Sequence, residues 1–307
     1  MAASKPDMLV VGAGPAGVST ALWARSLHLT PLVIEAGPRP GGQLLRIHFE
    51  PRNLGAAQPG TGVQLAARAA AQLEDAGIEL RAGTRALALE GPAGTAGPRV
   101  AVDGGVLEAR SIVVATGLSR RRLEVPGERE LESRGVSDSA TRDLEALRGR
   151  EVTVIGGGDA AFENALLLAD AGCRVTLALR GPAHARAEFR ARVEAHAAIT
   201  MLREAQAVAI LGDDAVRAVR FETPQGVVDH PTSAVVVKIG QAPNTEWCAA
   251  LERDGEGYLR VDAELRTSMP RVWAAGDVAR PVVPGIAIAL GHGAIVAASI
   301  RATLAAG

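Results

Sequence analysis

Two glycine-rich stretches carry the spacing that points to chemistry in this chain. The first, GAGPAG, sets Gly12, Gly14 and Gly17 in a G-x-G-x-x-G pattern, with Glu35 about 20 residues further on. The first glycine makes a tight turn, the second lets backbone approach a pyrophosphate, and the third lets a helix pack close to a strand. The free N–H groups and dipole of that helix attract the phosphates. A carboxylate at Glu35 accepts from ribose hydroxyls. The second stretch, GGGDAA, sets Gly156, Gly158 and Ala161 in the same three positions, with Asp159 between them. No acid follows it. Arg180 stands in that place, which suits a 2′-phosphate and so NADP rather than NAD. The plainer alternative is an ordinary strand–helix–strand unit whose loop binds nothing.

Such loops need a strand before them and a helix after them. MLVV at Met8–Val11 is an apolar strand, an Ala- and Leu-rich helix follows GAGPAG, and a second strand runs from Pro31 to Ile34. The order repeats with a strand at Val152–Ile155, a helix to about Asp170 ended by Gly172, and RVTLALR ending near Arg180. Three later strands complete the pattern. SIVVATG (Ser111–Gly117) closes the first lobe and AVVVKIGQAPNT (Ala234–Thr245) returns from the second. RVWAAGDV (Arg271–Val278) puts Gly276 and Asp277 just past a strand's carboxyl end, where open α/β sheets bind ligands. A last helix, from about Gly285 to Leu304, is apolar on most faces and packs in a core or an interface. The first domain is therefore split in sequence and the second is inserted into it.

Composition narrows the function classes. The chain has 307 residues, 48% hydrophobic and 22% charged, as expected for two soluble globular domains. A net charge of −1 makes no electrostatic case for nucleic acid or an anionic membrane, and 3% aromatics leaves few platforms for stacking bases. No apolar run is expected to span a bilayer. MAASKPDMLVVGAG enters a strand almost directly and does not read as a signal peptide, so a cytoplasmic enzyme is the expectation. Cys173 and Cys248 lie far apart, with neither CxxC nor zinc spacing, and read as free thiols. No metal site is expected.

Over essentially its whole length the chain resembles the thioredoxin reductase family of flavoproteins. The motifs that carry the resemblance are GAGPAG, GGQL at Gly41–Leu44, VVATG, VSDSATRD, VIGGGDAAFE, IGQAPNT and AAGDV. The resemblance implies an α/β fold of two Rossmann-like nucleotide-binding domains with low-molecular-weight thioredoxin reductase architecture, and a homodimer. Residues 1–118 and 245–307 would form a discontinuous FAD domain, and 119–244 an NAD(P)H domain. By position, Gly12, Gly14, Gly17, Glu35, Gly41, Gln43, Asn53, Thr116, Gly276 and Asp277 would contact FAD, Asp277 at the ribityl chain. The start of the last helix, near Ile286, would point its N–H groups at the flavin ring. Gly156, Gly158, Asp159, Ala161 and Arg180 would hold NAD(P)H.

Three departures bear on function. The family's V-S-x-C-A-T-C-D stretch keeps Val136, Ser137, Ala140, Thr141 and Asp143, but Ser139 and Arg142 replace both cysteines. A hydroxyl is a poor nucleophile without a base, and a guanidinium is none at all, so disulfide reduction by the family mechanism is excluded. The family's His-Arg-Arg phosphate clamp keeps only Arg180, with Gly181 in the second Arg position; Arg186 or Arg190 are substitutes unless they are solvated helix charges. NADPH is the expected donor, with NADH or no nicotinamide left open. Finally, Pro284 and Gly285 replace the Arg-Gln ahead of the last helix, opening space at the flavin edge for a substrate.

An FAD without a dithiol can still take hydride from NAD(P)H and hand electrons to a non-disulfide acceptor, and this is the favoured expectation. The alternatives are an oxidase of a small natural-product substrate that uses no nicotinamide, a ferredoxin or flavodoxin reductase, and a non-catalytic flavin-binding or sensing protein. Ferredoxin reductases of this type carry an aromatic after the last helix and a Tyr after GGQL. Here LAAG ends the chain, and His48 followed by Phe49 stands at the Tyr position. The acid/base candidates are His48, Asp143 and His292, against the readings of a loop histidine, a first-turn helix acid and a packing histidine. Arg142 is an anion-site candidate or a solvated charge. Arg120–Arg122 reads as a hinge charge, with docking of an acidic carrier as the alternative.

Overall fold

The computed structural model describes residues 5–48, 50–51, 53–55, 59–91 and 97–306. The chain forms two compact units, one from Met1–Ser119 with Ala242–Gly307 and the other from Arg120–Gln241.

In the first unit five parallel strands run in the order Val272–Ala274, Ser111–Val114, Met8–Val11, Pro31–Glu35, Glu79–Ala82. The central strand is buried at every residue because both faces of the sheet are covered. Successive side chains point to opposite faces. Met8 and Val10 therefore join the core made with α1 (Pro15–Ser26), α2 (Gly62–Asp75) and α6 (Ile286–Ala305). Leu9 and Val11 join a second core under an antiparallel sheet of Ala86–Glu90, Arg99–Val102 and Gly105–Glu108. Thr61 and Gln64 close the start of α2 with a reciprocal capping box.

The second unit repeats the plan. Its parallel order is Ile199–Leu202, Arg174–Ala178, Glu151–Ile155, Ala234–Val237, Val136–Ser137. Val152 and Val154 pack with α4 (Asp159–Asp170), while Ile155, Val235 and Val237 face an antiparallel sheet of Gln206–Gly212, Val216–Thr223 and Gly226–Pro231. Two shorter helices, α3 (Ala140–Leu147) and α5 (Ala187–Ala195), complete it.

The structure corrects some strand limits. RVTLALR leaves the sheet at Ala178, two residues before Arg180. AVVVKIGQAPNT is two strands, Ala234–Val237 and Gln241–Pro243, because Gly240 turns the backbone to φ +94°. The expectation that no apolar run is long enough for a bilayer is also corrected, since α6 meets that criterion by length and composition. The helix is nonetheless a packing element of the first unit. Ser19 Oγ on α1 donates to the Leu290 carbonyl at 2.7 Å, and Trp273 Nε1 donates to Ser299 Oγ at 3.0 Å.

Gly293 lets α6 come this close. A Cβ there would lie 2.6 Å from both Ser19 side-chain atoms and from Thr20 N. Gly293→Ala is expected to lower stability in urea by roughly 1–3 kcal/mol, the usual cost of overpacking a tight contact. An unchanged midpoint would show that the helices separate freely.

Candidate functional site

The first glycine loop is held by a carboxylate. Glu35 Oε2 accepts from Ala13 N at 2.8 Å and Oε1 from Gly37 N at 2.8 Å, so the side chain ties the loop to the end of the neighbouring strand. Each oxygen keeps lone-pair capacity for a sugar hydroxyl. A Cβ on Gly17 would sit 1.8 Å from Gly12 O, and one on Gly12 (φ +107°) 2.5 Å from Ala115 O. These close contacts press helix, loop and strand together. Gly14 is different: a Cβ there would meet only Gly42 Cα, at 3.9 Å. The backbone at the second glycine is thus open to a phosphate group, and the residues fit the diphosphate of FAD.

Two other segments of the same unit meet this loop. Gly41 N donates to Ala13 O at 2.8 Å, which seats GGQL beneath the loop, and Gln43 Nε2 donates to Asp277 Oδ2 at 3.4 Å. Burial pushes the Asp277 carboxyl up, against hydrogen bonds from the Gly285 N–H and Gln43. Gly276 N donates to His292 Nδ1 at 3.1 Å. That bond leaves Nε2 as the protonated nitrogen of a neutral ring, and burial pushes the His292 pKa down. His292 therefore orients the Gly276–Asp277 turn, and using Nδ1 as an acid would break that bond. Arg280, at φ +49°, anchors the far side of the turn through Asp254 at 2.6 Å and Glu256, with its guanidinium over the Tyr258 ring. Sequence reading did not find this anchor, since its partners lie more than 20 residues away.

Thr116 and Asn244 form a reciprocal clasp. Thr116 Oγ1 donates to Asn244 O and Asn244 Nδ2 to Thr116 O, both at 2.8 Å, which holds VVATG against APNT. Ile286 is the first residue of α6, after Gly285. His48 and Asn53 are exposed, and neither is brought to the Gly276–Asp277 turn by a described hydrogen bond. Phe49 lies outside the described residues.

The second glycine loop repeats the close contacts, with a Cβ on Gly156 falling 2.1 Å from Lys238 O. Its mouth differs. The His184 ring stands over Gly157 and Gly158, with Nε2 3.1 Å from the position a Gly158 Cβ would take. Arg186 is engaged beside it: its N and Nε donate to the two Asp159 oxygens, each at 2.7 Å. The Asp159 oxygens expected to face a nucleotide are thus bound by Arg186. Arg180 and Arg190 are exposed, without an ion-pair partner among the described residues.

The VSDSATRD stretch forms an ion-pair lattice. Ser139 caps α3, its Oγ accepting from Arg142 N at 3.4 Å. Arg142 forks onto Asp143, Nε to Oδ1 at 2.8 Å and Nη2 to Oδ2 at 2.7 Å, and reaches Asp138 at 2.9 Å. Ser137 Oγ donates to Asp143, and Arg120 pairs with Asp138 at 2.8 Å. The hydrogen bonds that Arg142 donates to Asp143 are the main cause that raises the guanidinium pKa above its ordinary value. Lys238 Nζ donates to the Asp138 carbonyl at 2.8 Å. Burial, then the nearby Arg120 charge, pushes Lys238 down to about 8. Nothing in its sequence context signals this, because the neighbours come from distant segments. Both cysteines are buried, and burial pushes Cys248 up to about 12.

The Lys238 shift has a sign that can be worked out. Between about 8 and the ordinary 10.5, the unfolded chain holds a proton that the folded chain has released. Folding stability therefore rises with pH across that window, and below it the cost of burying the charge is full. The stability of the wild type relative to Lys238→Met is expected to improve from pH 7 to pH 10 in parallel denaturation curves. A pH-independent difference would contradict the shift.

Comparison with known proteins agrees with this geometry. Residues 6–294 match the family model described as pyridine nucleotide-disulphide oxidoreductase. The chain is 35% identical over 287 residues to thioredoxin reductase of Mycolicibacterium smegmatis, covering 89% of this chain and 88% of that one. It is 32% identical to an NADH dehydrogenase of Ferdinandcohnia aciditolerans, covering 95% of this chain but 56% of that protein. The crystal structure of Lactococcus lactis thioredoxin reductase superposes with a TM-score of 0.82 at 29% identity, covering 99% of this chain and 100% of that one. With both glycine loops inside the matched span, the chain belongs to the pyridine nucleotide-disulphide oxidoreductase family and is a thioredoxin reductase-like, FAD- and NAD(P)-binding flavoprotein.

Proposed function

We propose that this FAD-dependent oxidoreductase carries hydride from NAD(P)H to an acceptor that is not a disulfide. One observation carries the reading: Ser139 and Arg142 stand where the resembling reductases have their two cysteines, and both are tied into the lattice around Asp138 and Asp143. Ser139 Oγ caps a helix, and the Asp143 carboxylate is taken up by Arg142 and Ser137, so among the described residues neither neighbouring group is left to activate the hydroxyl as a base. The remaining thiols, Cys173 in one unit and Cys248 in the other, are buried.

FAD, when bound, supplies an acceptor for hydride and a donor of one or two electrons. The chain's own part is positional. Glu35 holds the first glycine loop, Gly14 leaves it open, and Gln43 with Gly285 fixes Asp277. His292 holds the turn that carries that acid. Of the acid/base candidates, His48 is exposed, while Asp143 and His292 are committed to bonds that a proton transfer would disturb. A cytoplasmic homodimer is part of this reading. Exposed Val282 and Val283, with Ile288, Leu290 and Ile295 on α6, support an apolar subunit interface.

A second reading, an oxidase of a small molecule that needs no nicotinamide, is favoured by the His184 ring over Gly158 and by the engagement of Arg186 with Asp159. Anaerobic titration with NADPH and then NADH separates the two. The proposed function expects the flavin absorbance to bleach with about one equivalent of one of them, with no turnover of oxidised thioredoxin or another disulfide. A flavin that stays oxidised with both nucleotides turns the assignment to the oxidase. Disulfide turnover that survives replacement of both cysteines would overturn the non-disulfide acceptor.

A further inference from the structure

The two glycine loops share a backbone plan but not a mouth. At the first, the second-glycine position is clear to 3.9 Å. At the other, the imidazole of His184 lies 3.1 Å from the equivalent point over Gly158 and 3.4 Å from that over Gly157. This is the side on which a dinucleotide's pyrophosphate approaches, and the glycine is there to admit it. The ring is not carried there on a slack loop. His184 N and Ala185 N both donate to Gly157 O, at 2.9 and 3.1 Å, and Arg186 N follows onto Asp159 at 2.7 Å. Three consecutive amides thus pin this segment to the loop. Ala185 is buried in the core beneath, and the Arg186 guanidinium lies over the Phe189 ring. The His184 side chain itself is exposed, so rotation about its two side-chain torsions can carry the ring out.

We propose that His184 is a plug in the second dinucleotide cradle, standing in the place of the nicotinamide dinucleotide's pyrophosphate, so that the nucleotide binds only to the conformer with the ring swung aside. This rests on the reading that this unit takes NAD(P)H. The plug selects against pyrophosphate-bearing ligands by lowering the competent fraction of the protein, and apparent affinity falls by that same fraction.

The test is calorimetric titration of the full-length, FAD-loaded protein with NADP⁺ and NAD⁺, comparing wild type with His184→Ala and His184→Phe. The plug expects His184→Ala to lower Kd by roughly five- to tenfold, as for a competent fraction of about a tenth to a fifth. His184→Phe, which keeps a ring, stays near wild type or weaker. In the wild type, the His184 ring NMR signals move as nucleotide is added, a readout independent of any variant's folding. A weaker Kd for His184→Ala would make the imidazole a phosphate ligand and overturn the plug. Equal affinities with unmoved ring signals would overturn it while leaving nucleotide binding intact. Absence of binding to wild type and both variants, at millimolar nucleotide with unchanged circular dichroism, would remove the NAD(P)H reading and the plug together.

Discussion

The first unit depends on one carboxylate bridging two backbone amides. Glu35 ends a strand, and its oxygens take the N–H groups of Ala13 and Gly37 at 2.8 Å each. Charge-assisted bonds to backbone N–H groups are among the stronger hydrogen bonds a protein makes. They hold the glycine loop at the end of its strand, and the absence of side chains at Gly12 and Gly17 lets helix and strand close around it. GGQL then seats under the loop and the Gly276–Asp277 turn comes beside it. The cradle is therefore assembled from three distant segments converging on one tight turn.

The VSDSATRD stretch is knitted into a lattice of charges. Arg142 does not point loosely into solvent but forks onto Asp143 and reaches the Asp138 carboxylate, while from other segments Arg120 pairs with that carboxylate and Lys238 donates to the Asp138 carbonyl. Single pairs this exposed contribute about 0–1 kcal/mol each, but shared geometry makes the set a fastener for the start of α3. Three cations around two carboxylates also explain the Lys238 amine: burial weakens its charge, and the neighbouring arginines add to that effect.

The two units show one architecture with different surroundings at the glycine loop. Both have a buried parallel sheet, a glycine loop after the central strand and an antiparallel sheet on one face. The contacts that make the turn recur almost unchanged, Gly12 against Ala115 and Gly156 against Lys238. The difference lies in residues beyond the motif: the Gly42 backbone packs beside the first loop, and the His184 ring covers the second.

The amino-acid sequence by itself determined the strand–loop–helix units, the split of the first domain around the second, and the family. Those properties are local: a run such as MLVV, a glycine spacing, or a motif such as AAGDV can be read within a few residues. Only the tertiary structure decided that Nδ1 of His292 accepts from Gly276 N–H, that Asp143 is occupied by Arg142, that Arg186 is bound to Asp159, and that His184 stands over Gly158. The Arg280 anchor and the shifted Lys238 carried no sequence signal at all. What a polar side chain can do depends on which partners desolvate it and take up its hydrogen bonds, and in most of these cases the partners lie tens of residues away along the chain.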